Sequence, residues 1–202
     1  MSATLLSPET KPGRGAEAVA LFMRPRSIAV IGVSAKPKTA GRTVLANLQL
    51  NAFDGDVHVV GRAEGEIDGY PVTQSIDDLP EGVELAVFTL PAAGVKDALE
   101  ACVRRGVKAV TVFSSGFAEA GNRAGQDELV RIAREGGVAL LGPNCLGYTN
   151  LVKGLPIGFA NARKVAKLAP DDPNPAIAMV SQSGGLMAYA STNLAARHLP
   201  MA

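Results

Sequence analysis

Tryptophan is absent from this 202-residue sequence, and aromatic residues make up only 4% of it. The core must therefore be built from Val, Ile, Leu and Ala, in a chain that is 47% hydrophobic and 19% charged, as is ordinary for a globular α/β protein. Net charge is also nearly absent, at +1. This balance disfavours nucleic acid or an anionic membrane as partner, so an anionic ligand must be met by a local site.

Cysteine and histidine are scarce as well. Cys102 and Cys145 lack C-x-x-C spacing, which excludes a zinc site or disulfide framework and indicates a reducing compartment. His58 and His198 have no carboxylate or cysteine partner at useful spacing, and we interpret both as structural or incidental. The sequence has no signal-peptide core and no run of the ~20 apolar residues that a membrane helix needs. We therefore expect a cytoplasmic protein.

Strand and helix patterns alternate between residues 15 and 150, after residues 1–14, whose Pro, Gly, Ser and Thr content predicts a flexible N-terminus. The predicted strands are 27–31, 57–60, 85–90, 109–113 and 138–141, and the predicted helices are 16–23, 39–50, 93–105 and 125–135. The continuous apolar run at 85–90 is typical of a strand buried on both faces. The alternation predicts an α/β fold over residues 15–150 with a parallel, doubly wound sheet.

The pattern changes after residue 150. Residues 151–175 are irregular and end in "APDDPNP", which predicts a connection between domains. Residues 176–202 restart the pattern, with a strand in "AIAMVSQSGG" and a helix over 186–198. A lone strand and helix cannot bury their own apolar faces, so we expect the start of a second domain whose open face a partner covers.

The first strand ends in a loop, "GVSAKPKTAG", with the outline of a nucleotide-binding turn. Ligands of parallel sheets bind at the carboxyl ends of strands, where the next helix presents free N–H groups and a positive dipole end. Gly32 permits close approach, Ser34 offers a hydroxyl, and Lys36 and Lys38 add charge. The alternative is an ordinary strand-to-helix loop with solvated lysines; we favour ligand binding.

The missing glycines of this turn bear on the kind of nucleotide. The loop lacks the G-x-G-x-x-G fingerprint, and the second strand ends in "VVGRAEG", with Arg62 where an NAD site needs an acidic residue. An arginine suits a phosphate better than a ribose diol. A ligand that places a phosphate, rather than a ribose diol, beside Arg62 is therefore favoured. This disfavours NAD and leaves NADP(H) open.

Further small or polar loops follow the other strands. "LPAAG", with Pro91, is on its own best explained as an ordinary turn, whereas "FSSGFAEAG" adds Ser114 and Ser115 to a common rim. Cys145 in "GPNCLG" has no nearby histidine to activate it, and we do not expect it to be catalytic. In "VSQSGGLMAYA" the G-x-S-x-G elbow is absent, so Ser183 is a candidate anion-binding residue at a helix N-terminus rather than a nucleophile.

Five motifs in order and spacing resemble one superfamily, the NDP-forming acyl-CoA synthetases, which include the succinyl-CoA synthetase α subunit and the ADP-forming acetate–CoA ligases. The motifs are "LFMRPRSIAVIGVSAKPKTAGRTVLANL", "ELAVFTLPAAGV", "RGVKAVTVFSSGFAEAG", "LLGPNCLGYTN" and "MVSQSGGLMAYA". The resemblance implies a Rossmann-like coenzyme A (CoA) domain followed by a flavodoxin-like ligase domain, of which residues 176–202 would be the start. It also implies a phosphohistidine that relays phosphate from a nucleotide to a carboxylic acid, and an ATP-grasp domain or subunit as partner.

The resemblance also assigns site residues. The implied CoA contacts lie along the predicted rim: Gly32, Ser34, Ala35, Lys36, Pro37, Arg62, Pro91, Phe113, Ser114 and Ser115. The turn at the second helix N-terminus would cradle the transferred phosphate through Ser181, Ser183 and Gly184. No metal site is expected.

This sequence departs from the family pattern at two points. Neither His58 nor His198 matches the phosphohistidine, whose loop in the family lies beyond residue 202, and no ATP-grasp segment is present, so we expect no ligase activity from the chain alone. Where succinyl-type enzymes place a substrate-contacting tyrosine, the chain has Ala188, which leaves succinate unsupported.

The predicted function is the CoA-binding portion of an NDP-forming acid–CoA ligase, completed by an ATP-grasp subunit, the remaining ligase domains or a homo-oligomer. The alternative is a stand-alone regulatory module that binds CoA or NADP(H).

Overall fold

The structure is a computed structural model, and it describes residues 15–169, 176–197 and 199. The predicted flexible segment 1–14, the proline-rich end of the connection at 170–175, His198 and residues 200–202 lie outside the described residues. The helices are α1 (Gly15–Met23), α2 (Ala40–Leu50), α3 (Val95–Arg104), α4 (Arg123–Glu135) and α5 (Gly184–Ala196). The strands are β1 (Ser27–Val33), β2 (Asp56–Gly61), β3 (Glu66–Ile67), β4 (Tyr70–Thr73), β5 (Leu85–Phe88), β6 (Ala109–Val112), β7 (Ala139–Leu141), β8 (Gly147–Asn150) and β9 (Leu155–Gly158).

Seven of these strands form one sheet in the order β3-β4-β2-β1-β5-β6-β7. β1 is central and pairs in parallel with β2 on one side and β5 on the other, while β3 runs antiparallel to β4. β5 and β6 are buried along their whole length, as expected for the middle of a parallel sheet covered on both faces. The order from β4 to β7 is that of the doubly wound Rossmann arrangement, which confirms the predicted fold class.

Apolar clusters on the two faces of the sheet hold the helices in place. On one face, α3 and α4 contribute Val95, Leu99, Leu129 and Ile132. On the other face, α2 contributes Val44, Leu45 and Leu48, which pack with Leu155 and Ile157 of β9. The spacing of the α2 residues puts them on one side of the helix, as its sequence predicts. The sheet is therefore a rigid platform from whose carboxyl edge the candidate loops extend.

The structure adds strands where the sequence predicts a turn or irregular chain. In "EIDGYPV" the sequence predicts a turn that is tightest at Asp68 and Gly69. These two residues form the tip of the short β3–β4 hairpin, and both have positive φ. The predicted connection begins within a second hairpin, β8–β9. The sequence pattern does not predict this hairpin, because Pro156 and the glycines at both of its ends are residues typical of loops.

The sequence "SIDDLP" predicts a short helical turn that Ser75 caps and Pro80 ends. This turn is confirmed over Ile76–Asp78, since the Ser75 hydroxyl accepts a hydrogen bond from the Asp77 N–H at 3.1 Å.

The predicted strand in "AIAMVSQSGG" does not form. Among residues 176–183 only Ile177 is bridged, and the rest is extended or bent chain that leads into α5. A strand requires a neighbour to accept its hydrogen bonds, and the described part of the chain supplies none beyond that one bridge. The helix itself begins two residues before its predicted start, at Gly184.

Candidate functional site

The carboxyl edge of the sheet contains the point where the strand order reverses. From β1 the chain crosses to β2 on one side, whereas β5 lies on the other side of β1. The loops that follow β1 and β5 diverge there and leave a crevice, which is where open α/β sheets bind ligands. The loop 34–39 after β1 and the segment 89–94 after β5 line this crevice.

The loop 34–39 is short, polar and exposed at its tip. The Ser34 hydroxyl accepts a hydrogen bond from the Lys36 N–H at 3.2 Å, and the Thr39 hydroxyl donates to the Lys36 carbonyl at 3.4 Å. Ala35, Lys36, Pro37 and Lys38 are exposed, and Lys38 has a φ of 60°. The loop thus places two lysines at the rim without an ion-pair partner among the described residues.

The N-terminus of α2 lies directly behind this loop and has no side-chain cap. Thr39 precedes the helix, yet its side chain accepts no hydrogen bond from it. The N–H groups of the first helical turn have no partner inside the helix and remain available to an anion. α4 differs, because the Asn122 side chain accepts a hydrogen bond from the Gly125 N–H at 3.0 Å.

Two glycines allow the loops after β1 and β5 to meet. A Cβ on Gly32, whose φ is +92°, would lie 2.8 Å from the Leu90 side chain, and one on Gly41 would lie 3.0 Å from the Thr89 hydroxyl. The first distance is shorter than side chains tolerate and the second is tight, so the close approach depends on the absence of side chains at these positions. The Thr89 hydroxyl also donates to the Ile31 carbonyl at 3.0 Å.

The loop after β6 continues the rim. Phe113 is buried and Ser115 is exposed, while the Ser114 hydroxyl donates to the Leu90 carbonyl at 2.5 Å. Ser114 also accepts, through its carbonyl, a hydrogen bond from the Asn144 N–H at 2.8 Å. Ser114 therefore ties the ends of β5, β6 and β7 together, with Pro91 exposed beside it at the start of the next segment.

Glu119 fixes the shape of the same loop. Its carboxylate accepts hydrogen bonds from the N–H groups of Gly116, at 2.6 Å, and Phe117, at 3.2 Å. These bonds, the one from Gly116 first, hold the pKa of Glu119 below its usual range. The loop keeps its conformation through an ionised side chain.

Arg62 reaches the same edge from the end of β2. Gly61 pairs with Val33 across the sheet, so Arg62 follows β2 at the level where Ser34 follows β1. A Cβ on Gly61 would lie 2.4 Å from the Val33 carbonyl oxygen, so only glycine permits this pairing distance. Arg62 is exposed and, like the two lysines, has no ion-pair partner in the described ranges.

The turn before α5 lies beside the loop that follows β7. A Cβ on Gly184 would overlap the Leu146 side chain at 1.7 Å, so glycine is required where α5 meets Leu146. The Ser181 hydroxyl accepts a hydrogen bond from the Ser183 N–H at 3.0 Å, and the Ser183 hydroxyl caps the helix by accepting from the Leu186 N–H at 3.3 Å. Both hydroxyls are engaged within the turn. The phosphate-binding role of Ser181, Ser183 and Gly184 stays a prediction.

The cysteines have the properties of structural residues. Burial raises the pKa of the Cys102 thiol to about 12. Burial also raises the pKa of the half-buried Cys145, whose sulfur accepts a hydrogen bond from the Gly147 N–H at 3.3 Å. A high pKa keeps a thiol protonated and unreactive. Within the described residues, no group of His, Cys, Asp and Glu is placed to hold a metal ion, and no helix is long and apolar enough to cross a membrane.

An ion pair at the rim has no signal in the sequence. Arg42, in the first turn of α2, contacts Asp68 at the tip of the β3–β4 hairpin, with 2.5 Å between Nε and Oδ2. The two residues are 26 positions apart and belong to elements whose contact depends on the tertiary fold. Only the Asp68-Gly69 turn was identifiable from the sequence.

Residues 26–150 match the family model described as a CoA binding domain. The chain belongs to this CoA-binding domain family. The matched range contains the loops after β1, β2, β5 and β6, and hence every predicted CoA contact from Gly32 to Ser115. The predicted phosphate-binding turn at 181–184 lies outside it.

The relatives of this chain include a CoA synthase and a subunit of a CoA ligase. The chain is 38% identical over 180 residues to trans-feruloyl-CoA synthase from an unknown prokaryotic organism, covering 88% of the chain and 25% of that protein. It is 37% identical over 175 residues to the α subunit of ADP-forming acetate–CoA ligase I of Pyrococcus furiosus, covering 83% of the chain and 36% of that subunit. The chain therefore spans about a quarter to a third of the length of the curated relatives it matches.

The solved structure of an acetyl-coenzyme A synthetase has the same fold. It is the dinucleotide-forming acetyl-coenzyme A synthetase 1 of Ca. Korarchaeum cryptofilum in complex with phosphate and ADP, with a TM-score of 0.79 and 29% sequence identity. The superposition covers 91% of this chain and 38% of the synthetase. The relationship thus extends beyond residues 26–150 of the CoA-binding domain.

Proposed function

We propose that the crevice between the loops after β1 and β5 binds CoA, and that this chain is the CoA-binding portion of an NDP-forming acid–CoA ligase of the cytoplasm. The observation that carries the proposal is the uncapped N-terminus of α2 behind loop 34–39, at the point where the strand order reverses. Membership of the CoA-binding domain family and the ligase relatives support the same ligand.

Charge at this rim suits a ligand with several phosphates. CoA carries a diphosphate and a 3′-phosphate. The exposed Lys36 and Lys38 lie in the loop itself, and the exposed Arg62 follows the neighbouring strand β2 at the same level. Backbone N–H groups bind phosphate oxygens at short range, and small residues such as Gly32 and Ala35 let them approach. We assign the diphosphate to residues 34–37 and a basic contact to Arg62.

The remaining predicted contacts would guide the rest of CoA along the rim. Pro91 and Ser115 are exposed, and Ser114 links the ends of the strands between them. In this arrangement the pantetheine arm would pass from the loop after β1 across the ends of β5 and β6. Phe113, which is buried under this path, would support the rim rather than contact solvent.

CoA would then act as a substrate that leaves the enzyme as the acyl-CoA thioester. In a ligase of this type, a phosphohistidine transfers its phosphoryl group to the carboxylate, and the CoA thiolate attacks the resulting acyl phosphate. A carbon–sulfur bond forms, the carbon–oxygen bond to phosphate breaks, and inorganic phosphate departs. The histidine and the ATP-grasp part would come from partner domains or a partner subunit, and the N–H groups at the start of α5 would hold the transferred phosphate.

Calorimetry with this chain tests the ligand. We expect CoA to bind with a dissociation constant in about the micromolar range, more tightly than dephospho-CoA and NADPH. Replacing Lys36 and Arg62 together by Gln should weaken CoA about tenfold or more, because two cations at the rim are lost. The matched control replaces by Gln the residues Lys108 and Arg104, which lie at the amino edge of the sheet, away from the crevice. A signal with NADPH but none with CoA would overturn the proposal in favour of a stand-alone NADP(H) module.

A reconstitution experiment tests the ligase assignment. The chain should form no acyl-CoA from acid, CoA and ATP by itself. Addition of the ATP-grasp and histidine-bearing parts of a related ligase should produce activity that depends on Lys36 and Arg62. Acyl-CoA formation by the chain alone would show that the partner assignment is wrong.

A further inference from the structure

Arg42 contacts loop 34–39, on one side of the crevice, and the tip of the β3–β4 hairpin at once. Its Nε and NH2 groups each lie 2.5 Å from a different carboxylate oxygen of Asp68, which makes the ion pair bidentate. Its NH1 group donates to the Ala35 carbonyl at 3.2 Å. One half-buried guanidinium therefore joins the first turn of α2, the tip of the β3–β4 hairpin and the loop 34–39.

Asp68 is itself fixed on α2. The Gln49 side chain donates to the Asp68 carbonyl at 2.6 Å, so α2 holds the hairpin tip through two residues. Asp68 has a φ of 53° and Gly69 a φ of 81°, a turn geometry that aspartate and glycine tolerate better than most residues. The carboxylate is thus presented to Arg42 by a constrained turn rather than by a free side chain.

The bond to Ala35 determines which groups of the loop face a ligand. A carbonyl oxygen that pointed into the crevice would repel a phosphate, whereas an N–H group attracts it. Arg42 holds the Ala35 carbonyl by a charge-assisted hydrogen bond, which is stronger than a neutral one. With this oxygen engaged, the exposed lysines of the loop and the uncapped N–H groups at the start of α2 are left to meet a ligand.

We propose that Arg42 is a positioning residue for CoA and Asp68 its anchor: together they hold loop 34–39 in the conformation that receives the phosphates. This inference rests on the proposed CoA site. It differs from a direct role, in which Arg42 would leave Asp68 and bind a phosphate itself. Because its charge is offset by Asp68 and three of its N–H groups are already engaged, Arg42 acts through the loop.

The Asp68→Asn variant separates the two roles by the sign of its effect. If Arg42 positions the loop, loss of the anchoring charge loosens Arg42 and weakens CoA binding about three- to tenfold. If Arg42 were a phosphate ligand restrained by Asp68, the same change would free it and strengthen binding. Arg42→Lys keeps the charge but cannot reach both Asp68 and Ala35, so it should weaken binding about tenfold.

A control pair with the same chemistry as Arg42 and Asp68 lies at the amino edge of the sheet, away from the crevice. Arg104, at the end of α3, contacts both carboxylate oxygens of Asp77 at 3.2 Å. Asp77→Asn and Arg104→Lys change the same chemistry away from the crevice and should leave CoA affinity unchanged. Equal losses in both pairs would reveal a general effect on the fold and overturn the inference.

Amide hydrogen exchange of peptides covering residues 34–39 provides a readout without ligand. Asp68→Asn should accelerate exchange in this loop in CoA-free protein, while Asp77→Asn should not. If wild-type protein fails to bind CoA, the proposed function is wrong. If Asp68→Asn leaves exchange in the loop unchanged, the positioning role is wrong, whatever the result for CoA. If wild type binds CoA but Asp68→Asn and Arg42→Lys bind it equally well, only the positioning role is overturned.

Discussion

Glu84 is a buried carboxylate at the amino edge of the sheet, opposite the crevice. It accepts hydrogen bonds from the Arg26 N–H at 2.8 Å and from the Arg26 guanidinium, and Lys108 lies 3.7 Å away. The Arg26 side chain is the main cause that lowers the pKa of Glu84, although burial alone would raise it. A carboxylate whose pKa is lower in the folded state stabilises the protein fully above its unfolded pKa of about 4.3.

Glu84→Gln should therefore destabilise the fold by about 1–2 kcal/mol at neutral pH, because a charge-assisted bond becomes a neutral one. The difference from wild type should shrink as the pH falls below about 4, where Glu84 itself becomes protonated as the pH passes through its lowered pKa. Urea unfolding at neutral pH and below about pH 4 measures the difference in stability between the variant and wild type. Replacement of the exposed Glu64 by Gln is the matched control. A difference that is the same at both pH values would contradict the role of the ionised carboxylate.

The two cysteines should react with alkylating reagents in a fixed order. Cys102 is fully buried and its pKa is raised to about 12, whereas Cys145 is only half-buried. Iodoacetamide at mildly alkaline pH should therefore modify Cys145 first in the native protein, and both cysteines after denaturation. Mass spectrometry of the peptides measures the order, and Cys145→Ser removes the fast phase. Faster labelling of Cys102 would contradict the packing described for α3.

Two asparagines on one face of α2 hold the chain that follows β9. Asn47 donates to the Gly158 carbonyl at 3.1 Å and accepts from the Arg163 N–H at 2.9 Å. Asn51 donates to the Arg163 carbonyl and accepts from the Val165 N–H, both at 2.8 Å. Because residues four apart lie on the same side of a helix, the side chains bond the extended segment as a neighbouring strand would. The segment is irregular yet attached to the helix that begins behind loop 34–39.

Asn47→Ala should destabilise the protein by about 2 kcal/mol, because it removes a buried side chain that pairs with the Gly158 carbonyl and the Arg163 N–H. Exchange of the Arg163 amide should become faster, measured by hydrogen exchange with NMR or mass spectrometry. The exposed Asn161→Ala is the matched control and should change neither quantity. An unchanged Arg163 amide would show that the segment is held by other contacts.

The elements that the sequence predicts correctly are those with strong local patterns. β1, β2, β5, β6 and β7 come from apolar runs, and α2 from its one-sided spacing of Val44, Leu45 and Leu48, which local packing rules determine. The Asn47 contacts span 111 and 116 residues, and no local pattern encodes them. The expected strand within 176–183 fails for the opposite reason: its local pattern is favourable, but the described residues place no sheet beside it.

The same distinction applies to the candidate site at the scale of the whole molecule. The loops after β1, β5 and β6 were predictable as one rim, because parallel strands end at a common edge. The geometry that joins them was not, since Thr89 with Ile31 and Ser114 with Leu90 meet across strands that the sequence places far apart. The residues that line the crevice are therefore visible in the sequence, while those that shape it are visible only in the fold.

Several large apolar side chains are exposed in and near the segment that contains α5. They are Leu146, Ile177, Val180, Leu186 and Tyr189. Exposed apolar side chains concentrated in one segment indicate an interaction site, because their exposure to water is unfavourable. We expect this chain, studied by itself, to bind a hydrophobic dye and to associate as its concentration rises.

Leu186→Gln combined with Tyr189→Gln should reduce both dye fluorescence and association, because these side chains are 58% and 70% exposed. Sedimentation velocity over a range of concentrations measures the association. The matched control is Leu50→Gln, a singly exposed leucine at the end of α2, which should alter neither. CoA affinity should stay within about twofold of wild type in the double variant, because independent distant sites act additively. A wild-type monomer that binds no dye would mean that this surface needs no partner to cover it.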